Sequence, residues 1–234
     1  MVNSKIYKNY RLKDIQTNLR VMGVSPLDVM VTGVTGAGKS TTLNSLFQKK
    51  VAIVGKGVDP ETMTLNSYSL NNSFRFWDTP GLGDGEEKDK VHSKKIIDLL
   101  YKDYYKDETQ YGFIDLVLIV IEGSNRDMGT NYKLLDNIII PNFQKNRILV
   151  AVNQADMAMK GRYWNKKENK PEQKLENFLE KQVLSIQQRV KESTGVKILK
   201  PIYYSAEYDY NVDKLFDLLI DNMPIKRRKL KIEM

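Results

Sequence analysis

A glycine-rich run between an apolar stretch and a helical pattern constrains this chain more than any other feature. Residues 33–40 read GVTGAGKS, with LDVMVTG leading into the run and KSTTLNSLF leading out of it. Glycines let backbone N–H groups turn inward around phosphate oxygens, and a helix N-terminus adds partial positive charge. We therefore expect a strand, a phosphate-binding loop and a helix in succession. Lys39 would reach the β- and γ-phosphates and Ser40 would ligate Mg²⁺.

Strand patterns alternate with helical patterns along the rest of the chain, which predicts a three-layer α/β fold. TLNSYSL and FRFWD flank Asn71-Asn72 and predict a hairpin; FIDLVLIVIEG, NRILVAVN and KILKPIYYSA predict further strands. Helices are predicted within residues 5–22, at about 88–105, at 130–140 before Pro141, from Pro171 to Ser193 and over NVDKLFDLLIDNM, with a polar loop over 154–170.

Amino-acid composition limits the location and the partners of the chain more than it limits its activity. There is no cysteine, so disulfides and thiolate zinc sites are excluded. The chain begins with polar residues, and its longest apolar run is too short to span a bilayer, which predicts a cytoplasmic protein. The formal charge of +8 is compatible with nucleic acid, a ribosome or an anionic lipid surface, and a solvated basic surface is the simpler interpretation.

A second glycine-rich segment, FWDTPGLGDG over residues 76–85, follows the predicted hairpin. Asp78 can hold Mg²⁺ through a water. Gly81, three residues later, can offer its N–H to a γ-phosphate, and a loop that does so can reorganise when that phosphate leaves. An ordinary Pro-Gly turn is the alternative interpretation.

The segment VAVNQADM, residues 150–157, favours guanine over adenine. The Asp156 carboxylate can accept two N–H bonds from the edge of guanine, and adenine lacks that donor pair. Asn153 can face the same purine. Ser205-Ala206, after the last predicted strand, can place a backbone N–H near the guanine carbonyl. In isolation, a strand-end cap would explain the Asn and Asp equally simply.

The four motifs, in this order and each at a strand's carboxyl end, resemble those of P-loop GTPases of the translation-factor-related class. Within it, GVDPETMT, DTPGLGDG, NQAD and GRYWN resemble a poorly characterised bacterial branch of the Era-like, or 50S-ribosome-binding, GTPase domains. GxxGAGKST and DTPGLGD are also similar to septins and to immune-associated AIG1-type GTPases. The resemblance covers residues 27–223 and implies a GTPase domain with a mostly parallel six-stranded sheet, one antiparallel edge strand and a short N-terminal helix. Residues 1–26 would be a helical extension, and 224–234 a basic C-terminal tail.

The resemblance also implies a role for each matching residue, with GTP or GDP and Mg²⁺ as cofactors. Catalytic roles fall on Lys39, Thr62 and Gly81, and metal ligation on Ser40, Thr62 and Asp78. Thr64 is the alternative to Thr62 as the switch-I threonine. Nucleotide binding falls on Gly33, Gly36, Ala37, Gly38, Lys39, Ser40, Thr41, Asp78, Gly81, Asn153, Gln154, Asp156, Ser205 and Ala206.

Four positions depart from the patterns of related GTPases. Gln154 and Glu207 replace two customary lysines, and the uncharged Gln154 predicts weaker GTP binding with specificity retained. Leu82 replaces the glutamine that orients water in small signalling GTPases, so intrinsic hydrolysis should be slow. Gly36 replaces the asparagine of potassium-activated relatives, so no potassium activation is expected.

Gly36 also suggests septin-like pairing, nucleotide face to nucleotide face, with residues 123–129 at the interface. Arg126 could then act across that interface, although a solvated loop residue is the simpler interpretation. His92, the single histidine, falls in the helix after the second glycine-rich loop, where an exposed position is the simpler interpretation. Trp164 is interpreted as an anchor for the polar loop, with a partner surface as the alternative.

Several functions stay open at this level. The first is a GTP-hydrolysing switch stimulated by dimerisation or a partner, and the second is a GTP-holding scaffold with little turnover. A ribosome- or RNA-associated factor and membrane association through Lys226–Lys231 are the others, and membrane association ranks lowest. An ATPase is possible in principle.

Overall fold

The computed structural model describes residues 9–23, 25–48, 66–70, 72–124 and 128–230. Its strands are Leu27–Thr32 (β1), Asn66–Ser69 (β2), Phe74–Asp78 (β3), Asp103–Lys106 (β4), Thr109–Gly112 (β5), Leu116–Glu122 (β6), Ile148–Asn153 (β7), Trp164–Asn165 (β8), Lys170–Pro171 (β9) and Ile202–Tyr203 (β10). Its α-helices are Leu12–Met22 (α1), Lys39–Phe47 (α2), Glu86–Tyr101 (α3), Met128–Lys133 (α4), Ile140–Asn142 (α5), Gln173–Thr194 (α6) and Val212–Asp221 (α7). A π-helical segment, Leu134–Ile139, joins α4 to α5.

Six strands form one mixed sheet in the order β10-β7-β6-β1-β3-β2. All neighbouring pairs are parallel except the β2–β3 hairpin, which confirms the predicted mostly parallel sheet with an antiparallel edge. Because parallel strands share a direction, the carboxyl ends of β1, β3, β6, β7 and β10 meet at one edge. The loops that follow these strands carry the predicted motifs, so the topology brings those motifs together.

Helices cover both faces of the sheet, as the central strands require. β1 and β7 are buried along their whole length, and β6 is buried up to its last residue. One core packs α1, α2 and α7 against one face, and a second core packs α3, the α4–α5 region and α6 against the other. The predicted N-terminal helix is present as α1, and Arg11 at its start pairs with Asp217 and Asp221 at 2.9 and 2.7 Å.

The helix predicted over 88–105 is wrong beyond Tyr101. The chain turns there into a second hairpin, β4–β5, in which the rings of Tyr104 and Tyr111 stack at 5.8 Å. Asp107 and Glu108 form its two-residue turn with φ of 47° and 59°. Positive φ at both central residues matches the right-handed twist of a hairpin, which explains why the helix does not continue.

Two proline predictions also need correction. The helix expected to stop before Pro141 continues to Asn142, because Pro141 lies at the start of α5, directly after the π-helical segment. Near the start of a helix the missing N–H of proline costs little. Pro171 lies in β9 and pairs with Trp164, so it precedes α6 instead of occupying its first turn. The predicted polar loop over 154–170 therefore contains the short β8–β9 pairing.

The described part of the basic C-terminal segment, residues 226–230, packs against the domain. Arg228 is 4% exposed, and its guanidinium donates to the carbonyl oxygens of Ile114 and Leu100 at 2.9 and 2.7 Å. Its own carbonyl accepts from the N–H of Gly112 at 2.7 Å. This segment lies at the amino ends of the sheet strands, away from the loops that carry the motifs. Among the described residues, no helix has the length and apolar character needed to cross a membrane.

Candidate nucleotide-binding site

The loop between β1 and α2 is shaped by close backbone packing. Gly38 caps α2 with φ of 84°, a conformation that glycine adopts without strain. A Cβ at this position would lie 2.3 Å from Nδ2 of Asn153, so only glycine lets the loop approach β7 this closely. The loop therefore presents its backbone at the N-terminus of α2, where an anion is favoured.

The Lys39 side chain folds back onto the first residues of this loop. Its Nζ donates to the carbonyl oxygens of Gly33 and Val34 at 3.2 and 3.0 Å. Burial lowers the pKa of the Lys39 ammonium, and the Asp78 carboxylate opposes that shift. A buried cation with acceptors on one side is suited to bind phosphate oxygens on the other.

Ser40 and Asp78, two of the three predicted magnesium ligands, lie side by side. The Ser40 hydroxyl donates to Oδ2 of Asp78 at 3.1 Å, and Oδ1 of Asp78 has no hydrogen-bond partner among the described residues. Asp78 is 2% exposed, and burial raises the pKa of its carboxyl, whereas Lys39 and Ser40 lower it. A buried carboxylate with an open oxygen fits Mg²⁺, which takes one or two protein ligands and completes its shell with water and phosphates.

Asn153, at the end of β7, joins the two loops expected to hold opposite ends of the nucleotide. Its Nδ2 donates to the carbonyl oxygen of Ala37 at 3.0 Å, and its Oδ1 accepts from the N–H of Ala206 at 3.0 Å. Gln154 follows with φ of 59°, and its Nε2 donates to the carbonyl oxygen of Gly36 at 2.8 Å. The bonds to Ala37 and Gly36 tie the base loop to the phosphate loop.

Asp156 is held by the loop that follows β10. The Ser205 hydroxyl donates to Oδ1 of Asp156 at 2.6 Å, and both residues are buried. Ser205 and Tyr210 exchange two backbone hydrogen bonds at 3.0 Å, which closes the loop between them. The Asp156 carboxylate is therefore held in a fixed orientation by the loop that also carries Ala206.

The segment after β3 lies directly on the phosphate loop. The Thr35 N–H donates to the carbonyl oxygen of Leu82 at 2.8 Å, and the Thr35 hydroxyl donates to Oδ2 of Asp84 at 2.9 Å. A Cβ at Gly81 would lie 2.5–2.7 Å from atoms of Thr35, so a side chain there would displace the loop. Leu82 is 3% exposed and belongs to the core beneath α3.

Comparison with known proteins agrees with this geometry. The family model described as 50S ribosome-binding GTPase matches residues 28–154, which is more than half of the chain. The chain belongs to the 50S ribosome-binding GTPase family. The matched range contains the phosphate loop, the segment from Asp78 to Gly81, and Asn153.

Individual relatives of this chain are distant. The probable GTP-binding protein EngB of Thermotoga petrophila is 25% identical over 133 residues, which are 56% of this chain and 64% of EngB. The chain thus spans less than two thirds of that relative. Era of Aquifex aeolicus bound to GDP·AlF₄⁻ superposes with a TM-score of 0.58 at 18% identity, over 90% of this chain and 61% of Era.

Toc33 of Arabidopsis thaliana, in complex with GDP and Mg²⁺, shares the fold over nearly its whole length. Its TM-score is 0.65 at 17% identity, over 97% of this chain and 96% of Toc33. Dimerization is described as important for the GTPase activity of the chloroplast translocon components that include Toc33.

The predicted nucleotide-site residues lie along the carboxyl edge of the sheet wherever the structure describes them. The phosphate-loop residues, Asp78, Gly81 and the base-motif residues are brought together by the contacts given above, and Thr41 lies in the first turn of α2. Thr62, Thr64 and Arg126 lie outside the described residues. Their roles stay predictions.

Three contacts of the candidate site were not predicted from the sequence. The hydroxyls of Tyr204 and Thr42 lie 2.7 Å apart and link the base loop to α2, although Tyr204 reads simply as part of an apolar strand. His92 is half-buried, and its Nδ1 lies 2.6 Å from the carbonyl oxygen of Gly81. The neutral amide of Gln154 donates to the phosphate loop. The sequence did not suggest this contact, because related GTPases have a charged lysine at this position.

Trp164 is an anchor, as the sequence suggested. It is 8% exposed, and its ring lies 5.5 and 5.2 Å from the rings of Tyr208 and Tyr210. Asn169 adds a hydrogen bond at 2.7 Å to the carbonyl oxygen of Tyr208. The segment around β8 and β9 therefore braces the loop that holds Asp156.

Proposed function

We propose that this chain binds GTP with Mg²⁺, hydrolyses it to GDP and phosphate in the cytoplasm, and acts as a nucleotide-dependent switch. The observation that carries the proposal is the position of Asn153. Its amide bonds Ala37 of the phosphate loop on one side and Ala206 of the base loop on the other. A single nucleotide that spans both loops would therefore bind between two segments that Asn153 holds together.

Guanine is the base that this arrangement favours. Asp156 is held through one oxygen by Ser205, and its orientation beside the base loop suits acceptance of the two N–H groups on the guanine edge. A site built for those bonds rejects adenine because its buried carboxylate would stay unpaired. Calorimetric titration with GDP, GTP and ATP tests the proposal. Tight GDP and GTP binding with no measurable ATP binding is expected, and tighter ATP binding would refute it.

Turnover by the isolated chain should be slow. Leu82, next to Gly81, is packed into the core and has no group that could orient water. This observation also favours the second candidate, a protein that holds GTP as an assembly or scaffold component. Single-turnover hydrolysis separates the two. A rate that rises with protein concentration or with an added partner supports the switch, and a rate near zero in every condition supports the scaffold.

A nucleotide-dependent homodimer is the partner arrangement that we favour. Of the predicted interface segment 123–129, the described residues Gly123 and Ser124 directly follow β6. The Gly123 N–H donates to the carbonyl oxygen of Asn153, the first residue of the base motif, at 2.7 Å. The importance of dimerization for activity in the translocon proteins supports the idea by analogy. Sedimentation with GDP and with a GTP analogue tests it, and a monomer in both states would exclude it.

RNA, the ribosome and membranes are less favoured partners. The net charge of +8 is compatible with them, but two cations of the C-terminal segment bind within the chain. Arg228 is buried, and Arg227 donates to the Tyr104 hydroxyl at 2.9 Å. An RNA-binding function requires RNA affinity that falls steeply with salt. No RNA binding at low salt would dismiss it.

A further inference from the structure

His92 connects α3 to the glycine that is predicted to recognise the γ-phosphate. Its Nδ1 lies 2.6 Å from the carbonyl oxygen of Gly81. A carbonyl oxygen can only accept, so Nδ1 carries the proton and donates. His92 lies on a regular helix that packs into the core through Ile96, Leu99 and Leu100. The donor is therefore mounted on a rigid element.

Gly81 is the part of this loop that most needs such support. Glycine has no Cβ, so the peptides on either side of it rotate more freely than at any other residue. Pro80 restricts the chain before Gly81, because its ring fixes φ. Thr35 packs so closely that a Cβ on Gly81 would lie within 2.7 Å of three of its atoms. His92 fixes the peptide after Gly81. Pro80, Thr35 and His92 together leave the Gly81 N–H little freedom of direction.

A second contact from α3 holds a different part of the loop. Oδ1 of Asp89 accepts from the N–H groups of Gly83 and Asp84 at 2.8 and 3.3 Å. These bonds, together with the buried Leu82, attach the outer loop to α3 without touching Gly81. Loss of the His92 side chain would thus release the Gly81 peptide while the rest of the loop stays attached.

We infer that His92 is a positioning residue for γ-phosphate recognition: by holding the Gly81 carbonyl, it directs the Gly81 N–H and favours triphosphate over diphosphate. The inference rests on the proposed function, since Gly81 matters only if the chain binds GTP. Wild-type binding of guanine nucleotides tests that function separately. GDP has no γ-phosphate, so its affinity should not depend on His92.

The test compares the affinities of a non-hydrolysable GTP analogue and of GDP for wild type, His92→Ala and His92→Asn. An asparagine amide can donate from nearly the same place as Nδ1. Loss of one such bond should weaken analogue binding by His92→Ala about fivefold, with GDP affinity within about twofold of wild type. His92→Asn should recover most of the loss. Lys94→Ala, an exposed position on the same helix, is the control and should match wild type in both affinities.

Two results would overturn the inference. One is equal weakening of analogue and GDP binding in His92→Ala, which would indicate a purely structural contact. The other is unchanged analogue affinity in a folded His92→Ala protein. If His92→Ala does not fold, His92→Asn and His92→Gln replace it. Gln places its amide one methylene further out, so equal analogue affinity in these two variants would also refute the role.

Discussion

The charged side chains buried at the two ends of the sheet differ in how they are paired. At the carboxyl ends, Lys39 and Asp78 are buried beside each other, and one Asp78 oxygen has no partner among the described residues. At the amino ends, the carboxylate of Asp28 accepts two bonds from Arg75, at 2.6 and 2.9 Å, and one from Trp77 Nε1 at 2.7 Å. At the carboxyl ends, one oxygen of Asp78 can therefore still accept a hydrogen bond. At the amino ends, both carboxylate oxygens of Asp28 already accept bonds from other side chains of the chain.

This difference separates binding from stability. A buried polar group without a partner costs free energy unless a ligand supplies one, and a paired group stabilises the fold without any ligand. Substitutions at the carboxyl end should therefore change nucleotide affinity more than stability. Substitutions at the amino end should do the reverse.

Asp156→Asn should have the largest effect. The substitution should change nucleotide affinity and leave stability unchanged. The amide reverses donor and acceptor toward the base, so GDP affinity should drop at least about 100-fold and xanthosine diphosphate should bind instead. Calorimetry with both nucleotides measures the change, with wild type and xanthosine diphosphate as the control. Retention of GDP affinity in the variant would contradict the assignment of Asp156 to the base.

Arg228→Ala should have the largest effect on stability. It removes the donor to the carbonyl oxygens of Ile114 and Leu100 and the contact with the Phe143 ring at 4.7 Å. The free energy of unfolding should fall by about 2–4 kcal/mol, as for other broken buried networks. Urea denaturation measures this, and GDP affinity should stay within about twofold of wild type. Lys229→Ala removes the same charge from an exposed side chain and should cost almost nothing. Equal losses in the two variants would argue against burial as the cause.

Asp115→Asn should change how stability depends on pH. Burial raises the pKa of Asp115 to about 7; the Asp28 carboxylate also raises it, whereas the bond from the Asp28 N–H, Arg147 and Arg228 lower it. The folded state then holds a proton that the unfolded state releases near pH 4, so this residue's contribution to stability is lost as pH rises from about 4 to 7. The variant should be more stable than wild type at pH 8 by roughly 1–3 kcal/mol, and similar at pH 4.

Thermal or urea unfolding from pH 4 to 8 measures the Asp115 effect. Asp98→Asn, on the exposed side of α3, is a control with the same change of charge. Parallel stability curves for wild type and Asp115→Asn would mean that Asp115 does not titrate in this range.

Substitutions of Gln154 should have the smallest effect. They test how much one hydrogen bond at the carboxyl ends of the strands contributes to nucleotide affinity. Its amide already donates to the Gly36 carbonyl, so Gln154→Lys should raise GDP affinity by no more than about threefold. Gln154→Ala removes the bond and should lower GDP affinity by about fivefold. Calorimetry of both variants tests the balance. A gain of tenfold or more in Gln154→Lys would show that the missing charge, and not the contact, limits affinity.

The sheet follows from sequence patterns alone, and so does the prediction that the site lies at its carboxyl edge. Glycines at fixed spacing, apolar strands and polar residues directly after them act through local geometry, which a chain carries in its pattern. The mostly parallel sheet and the family were predicted on this basis. The β4–β5 hairpin was missed because Tyr104, taken as the end of a helix, fits a strand only once it pairs with Tyr111 across the turn.

The hydrogen-bond partners of the polar side chains, in contrast, could not be predicted from sequence patterns. Arg228 reads as one cation in a basic tail, and it becomes a buried donor because two carbonyl oxygens more than 100 positions away converge on it. His92 reads as a surface residue until α3 places it against Gly81. The physical reason is the same in both cases. The free energy of a buried polar group depends on whether a partner lies within hydrogen-bonding distance, and that distance is set by packing between elements far apart in the chain.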